Sequence, residues 1–112
     1  MNFVSDNQAG AHESVLAALE EANSGSSPGY GEDKLTSAAE KSVSAVFETD
    51  CDVFFVTTGT AANALAMSAL CPAWGAIYCH EGAHIQNDEN TAVELLTGGA
   101  RMVPIAGEAG KP

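Results

Sequence analysis

The run from Val53 to Met67 constrains this chain more than any other stretch, because it joins an apolar block, a glycine turn and an alanine-rich segment without a break. Val53-Phe54-Phe55-Val56 is short, continuous and rich in β-branched and aromatic residues, which predicts a strand covered on both faces in a parallel sheet. Thr57-Thr58-Gly59-Thr60 follows as a hydroxyl-bearing turn, and Ala61 to Leu70 predicts a helix with Leu65, Met67 and Leu70 available for its buried face. The first N–H groups of such a helix lack intrahelical acceptors and lie at the positive end of its dipole, so an anion fits there. Gly59 would let the backbone approach that anion without a Cβ in the way, and Thr58 and Thr60 could donate hydroxyls. No Gly-Lys-Ser/Thr follows, and the three glycines of a dinucleotide fingerprint are missing. A plainer reading makes Thr58 or Thr60 an N-cap and Gly59 only a tight turn.

The rest of the chain extends this pattern on both sides. Residues 1–10 predict an extended arm. Ala11 to Asn23 predicts an amphipathic helix with Val15, Leu16, Leu19 and Ala22 in one stripe. Ser24 to Gly31 is a loop that holds the ring of Tyr30 between two glycines, free either to touch a ligand or partner or to pack the loop down. Asp33 predicts the N-cap of a second helix reaching Phe47, with Lys34 and Lys41 on its solvated side. Beyond Pro72, Gly75 to Cys79 predicts a second buried strand, His80 to His84 a glycine-broken turn, Asp88 to Thr97 a helix closed by Gly98-Gly99, and Arg101 to Val103 a third strand stopped by Pro104. There are no internal repeats. The expected architecture is α/β, a mostly parallel sheet with flanking helices, divided into an arm and helices over 1–48 and the start of a ligand-binding α/β domain over 49–112. Ligands in such sheets collect at the carboxyl ends of the strands, where both polar turns fall.

Charge excludes some partners. Fifteen acidic residues against four scattered basic ones give a net charge of −11, which repels nucleic acid and anionic membrane surfaces. Nothing approaches the roughly 20 consecutive apolar residues of a membrane-spanning helix. The first residues lack the pattern of a signal peptide, so none is expected, and three cysteines without a C-x-x-C suggest a reducing compartment, so the expected location is cytoplasmic.

Cys79 to Glu89 gathers one cysteine, two histidines and three carboxylates. A metal centre on Cys79, His80 and His84 is disfavoured because Gly82 breaks the helix that would align the histidines, so no metal is expected. Two other readings stay open: an imidazole lying over a planar cofactor with a carboxylate setting its tautomer, or a histidine at a strand end bonded to backbone.

Four markers then occur in order: Ser5-Asp6-Asn7 with Gly10; Gly29-Tyr30-Gly31-Glu32-Asp33; Thr58-Gly59-Thr60-Ala61-Ala62-Asn63; and Ala83-His84-Ile85 with Asp88-Glu89. Together they resemble the amino-terminal part of the threonine aldolase family, pyridoxal-phosphate enzymes of fold type I that cleave β-hydroxy-α-amino acids to glycine and an aldehyde. Pro72-Ala73-Trp74-Gly75 through Ile77-Tyr78-Cys79-His80 is similar to the phenylserine-aldolase-like branch. The resemblance implies that Gly59 and Thr60 hold the cofactor phosphate, His84 stacks on the pyridine ring and Glu89 lies near it. It further implies that Ser5 helps bind the substrate carboxylate and Tyr30 reaches the active site of a neighbouring subunit in a homo-oligomer, a dimer or tetramer. His84 is the best candidate base for the β-hydroxyl proton. In the family the lysine that holds the cofactor covalently lies downstream of any position here, so the expectation is an amino-terminal portion, inactive and marginally folded by itself. The alternative of a different class is a non-catalytic anion-binding or interaction module on the same scaffold.

Overall fold

A computed structural model describes residues 8–108, 110 and 111. Ser5 and the rest of the first marker before Gln8 lie outside the described residues. The chain divides into two compact units, one ending at Val53 and the other starting at Phe54.

The first unit carries α1 (Glu13–Ala22) and α2 (Lys34–Phe47). Each begins where a side chain satisfies open N–H groups. His12 Nδ1 accepts from the Ser14 N–H at 3.2 Å, and Asp33 Oδ1 accepts from the Leu35 and Thr36 N–H groups at 2.9 Å each. The Thr36 hydroxyl donates to Asp33 Oδ2 at 2.6 Å, and these bonds, that hydroxyl first, hold the Asp33 carboxyl below its usual range. Neither helix buries a residue in this unit, so the stripes of Val15, Leu16 and Leu19 and of Leu35, Val46 and Phe47 remain exposed.

The second unit holds α3 (Gly59–Leu70), β1 (Ala76–His80), α4 (His84–Asn87), α5 (Ala92–Thr97) and β2 (Arg101–Ile105). β1 and β2 pair in parallel, with Ala76 opposite Arg101 and His80 opposite Ile105. β2 runs through Pro104, beyond the expected stop at Val103. The Arg101 N–H donates to the Gly75 carbonyl and the Glu81 N–H to the Ile105 carbonyl, so the odd positions of β2 face β1. Pro104, at an even position, has its missing N–H on the other side and costs the ladder nothing.

Two expected elements differ. Val53 to Val56 forms no strand: among the described residues no backbone group of this segment is hydrogen-bonded, and Phe54 and Phe55 are exposed. A strand exists only where a neighbour pairs it, and here Phe54, Phe55 and Val56 instead line an apolar cleft of about 600 Å3 with Leu65, Ala66 and Ala69 of α3. The helix expected from Asp88 starts only at Ala92, because Asn90 and Thr91 adopt left-handed backbone at φ 49° and 62°.

The core of this unit is Ala64, Ile77, Val93 and Ala100, ringed by Met67, Cys71, Ile85, Ala92 and Met102. α3 therefore buries Ala64, whose small side chain admits α5, and packs Met67 against the core as expected, while Leu65 and Leu70, expected on the same face, turn outward. Among the described residues no helix is long and apolar enough to cross a membrane.

Candidate functional site

The amino end of α3 is formed by Thr58, Gly59 and Thr60. Thr58 has extended backbone, and its Oγ1 accepts from the Ala61 N–H at 3.1 Å. The N–H groups of Gly59 and Thr60, the first two residues of the helix, have no acceptor among the described residues. A Cβ built on Gly59 would meet nothing within 4 Å, so the glycine face is open to an approaching group. Thr58 is the N-cap, as the plainer reading has it, and its capping leaves the two preceding donors available.

His84 opens α4 and is bound to Glu89 in the turn before α5. Nδ1 of His84 lies 2.8 Å from Oε1 of Glu89. The imidazole is 68% exposed while the Glu89 side chain is wholly enclosed. The hydrogen bond to Glu89 is the main cause that raises the His84 pKa above the ordinary 6.5. The same bond, followed in effect by one from Asn63, lowers the Glu89 pKa against the opposing effect of burial. With the carboxylate accepting at Nδ1, neutral His84 carries its proton there and leaves Nε2 as the basic nitrogen.

Asn63, one turn into α3, donates from Nδ2 to the same Glu89 Oε1 at 2.7 Å. One carboxylate oxygen thus joins α3 to His84. Asn63 stands in the third marker with no task that local pattern assigns; its signal is an asparagine inside a helix, where the side chain competes with the helical backbone and is disfavoured unless it bonds elsewhere. Glu89 Oε2 is buried and has no hydrogen-bond partner among the described residues.

Of the other candidates, His80 is bonded elsewhere. His80 is the strand-end histidine bonded to backbone: Nδ1 accepts from the Gly82 N–H at 3.0 Å, which fixes the proton on Nε2 for the Gly107 carbonyl at 3.2 Å. Both ring nitrogens are therefore engaged, and among the described residues no group of three His, Cys, Asp or Glu side chains is arranged to hold a metal ion. Tyr30 belongs to the first unit and is fully exposed, its backbone left-handed at φ 61°. Lys34 and Lys41 are exposed on α2, and Lys111 lies in a short bridge to Glu108.

A family model described as beta-eliminating lyase matches residues 2–112. The chain belongs to the beta-eliminating lyase family. Within that family its likeness is to threonine aldolases. The low specificity L-threonine aldolases of a Pseudomonas species and of Pseudomonas aeruginosa are each 42% identical over 109 residues, covering 97% of this chain and 32% of theirs. A solved structure of Leishmania major threonine aldolase matches with a TM-score of 0.85 at 29% identity, over 98% of this chain and 32% of that one. The architecture is thus the α/β fold type I of a beta-eliminating lyase, and the chain spans about a third of the length of the curated relatives it matches.

Proposed function

We propose that this chain forms the amino-terminal portion of a pyridoxal-phosphate-dependent aldolase, a lyase cleaving β-hydroxy-α-amino acids such as threonine or phenylserine to glycine and an aldehyde. The observation that carries this reading is the hydrogen-bonded line Asn63–Glu89–His84, which runs from the open amino end of α3 to an exposed imidazole. The relatives named as L-threonine aldolases support the reaction class.

The residues present suit pyridoxal phosphate. Gly59 and Thr60 offer two unpaired N–H groups at a positive helix end, which suits a dianionic phosphate. His84 offers a planar, exposed ring anchored at one nitrogen, which suits stacking on a pyridine. When bound, the cofactor supplies a conjugated ring that accepts the electron pair released as the Cα–Cβ bond breaks.

The chain's own residues then bind, orient and move a proton. Gly59 and Thr60 hold the phosphate. Glu89 keeps the His84 proton on Nδ1, so Nε2 takes the proton of the substrate β-hydroxyl. Ser5 contributes to binding the substrate carboxylate, and Tyr30 acts at the site of a neighbouring subunit in a homo-oligomer. No lysine of this chain takes the covalent role: Lys34 and Lys41 sit on an exposed helix face and Lys111 in a terminal turn. These 112 residues alone are therefore inactive as an aldolase.

Titration of the 15N-labelled chain separately with pyridoxal 5'-phosphate and inorganic phosphate tests the reading. Both ligands should move the Gly59 and Thr60 amide resonances, and only the aromatic ligand should move the His84 ring protons. Movement at Gly59 and Thr60 with no response from His84 would identify an anion-binding module instead. No movement at either place in a folded chain would remove the assignment.

A further inference from the structure

The amide of Asn63 is committed to one acceptor 26 positions away in sequence, beside the packing of α3 on α5. A carboxylate can only accept, so the amide presents Nδ2 to it, and the 2.7 Å bond is charge-assisted. Glu89 has few alternatives. Its carboxylate is enclosed, Oε2 is unpartnered, and both side-chain hydrogen bonds fall on Oε1.

Nor does regular backbone fix this carboxylate. Glu89 lies between two short helices, α4 and α5, and is followed by left-handed Asn90 and Thr91. Its orientation depends on the two donors it meets, Asn63 and His84. Removing the first leaves a buried anion with one partner, which either takes up a proton or turns to share its charge differently.

We propose that Asn63 is a positioning residue: by fixing Oε1 of Glu89 it holds the His84 imidazole with its proton on Nδ1 and Nε2 as the free basic nitrogen. The Asn63 amide makes its side-chain hydrogen bond to Glu89. It acts through Glu89, whose Oε1 links α3 to the His84 ring. The use made of Nε2 rests on the proposed aldolase reading, whereas the positioning itself does not.

The test is long-range 1H–15N correlation of the histidine rings in the labelled 112-residue chain, across pH and without cofactor. In the unsubstituted chain neutral His84 should be the Nδ1–H tautomer, and a side-chain amide proton of Asn63 should shift with the same midpoint as the His84 ring. Asn63→Leu keeps the bulk and removes the donor. It should lower the His84 midpoint and admit the Nε2–H tautomer, with His80 unchanged as the internal control. Asn63→Ser, with a shorter donor, should fall between the two. An unaltered His84 midpoint and tautomer in folded Asn63→Leu would overturn the proposal. If that variant does not fold, an Asn63 amide proton indifferent to the His84 titration in the unsubstituted chain would overturn it equally. Because no cofactor is present, failure of pyridoxal phosphate to bind would sink the aldolase reading and leave this result standing.

Discussion

His84 Nδ1 and Glu89 Oε1 are 2.8 Å apart, and the pair joins a largely exposed imidazole to an enclosed carboxylate. The partners shift in opposite directions, His84 upward from 6.5 and Glu89 downward from 4.5, each chiefly through this bond. The raised His84 value contributes stability that is complete below pH 6.5 and is lost as pH rises through the folded value. The lowered Glu89 value contributes stability present above pH 4.5 and lost as pH falls through its folded value. The pair thus stabilises most between those two limits. Urea midpoints measured across pH should show this plateau in the unsubstituted chain and lose its alkaline shoulder in Glu89→Gln, whose His84 should also titrate lower. Superimposable profiles would contradict the coupling.

Thr58 caps α3 through a single side-chain bond to the Ala61 N–H. Thr58→Ala should cost about 1 kcal/mol of stability, and Thr58→Ser should restore most of it. Equal denaturation midpoints for Ala and Ser at this position would show that the cap is idle.

Thr97, at the end of α5, uses its buried hydroxyl as donor and as acceptor: Oγ1 donates to the Val93 carbonyl at 2.8 Å, with the Glu94 carbonyl also in reach at 3.2 Å, and accepts from the Ala100 N–H at 3.1 Å. Thr97→Val preserves the shape but strands the Ala100 N–H at a fully buried residue, at a cost of about 1–3 kcal/mol. Thr97→Ser keeps both bonds and should lose less. Denaturant unfolding of the three chains ranks them, and Val above Ser would reject this account.

Gly75 stands where the chain enters β1, with its N–H donating to the Pro72 carbonyl at 2.8 Å. A Cβ there would lie 2.6 Å from Cys71 Sγ and 3.0 Å from the Pro72 carbonyl oxygen. Gly75→Ala should destabilise by about 1–3 kcal/mol through overpacking. Adding Cys71→Ala should recover part of that, since the sulfur contact is relieved and the backbone contact is not. Full recovery in the double variant would show that the Pro72 carbonyl can give way.

The sequence by itself determined the features whose causes are local. Asp33 capping α2, Thr58 capping α3, Pro72 after α3, and the apolar run that becomes β1 each depend on residues within a few positions, and the structure places all four there. The alternation of these elements was enough for an α/β sheet with parallel pairing. The imidazoles and carboxylates between Cys79 and Glu89 were legible as a cluster, while His84 and Glu89 were singled out within it by the resemblance to threonine aldolases.

Tertiary structure decided the rest, because burial and strand pairing are relations between distant segments. Val53 to Val56 has strand composition, yet no described neighbour pairs it; Leu65 and Leu70 are helical and apolar, yet Ala64 is the residue small enough to meet α5. Left-handed turns at Asn90 and Thr91 split a segment that reads as one helix, and that break sets Glu89 between His84 and Asn63. No local pattern encodes a hydrogen bond spanning 26 positions. It exists only once α3 and α5 have packed, which is why Asn63 acquired its task in the fold and not in the sequence.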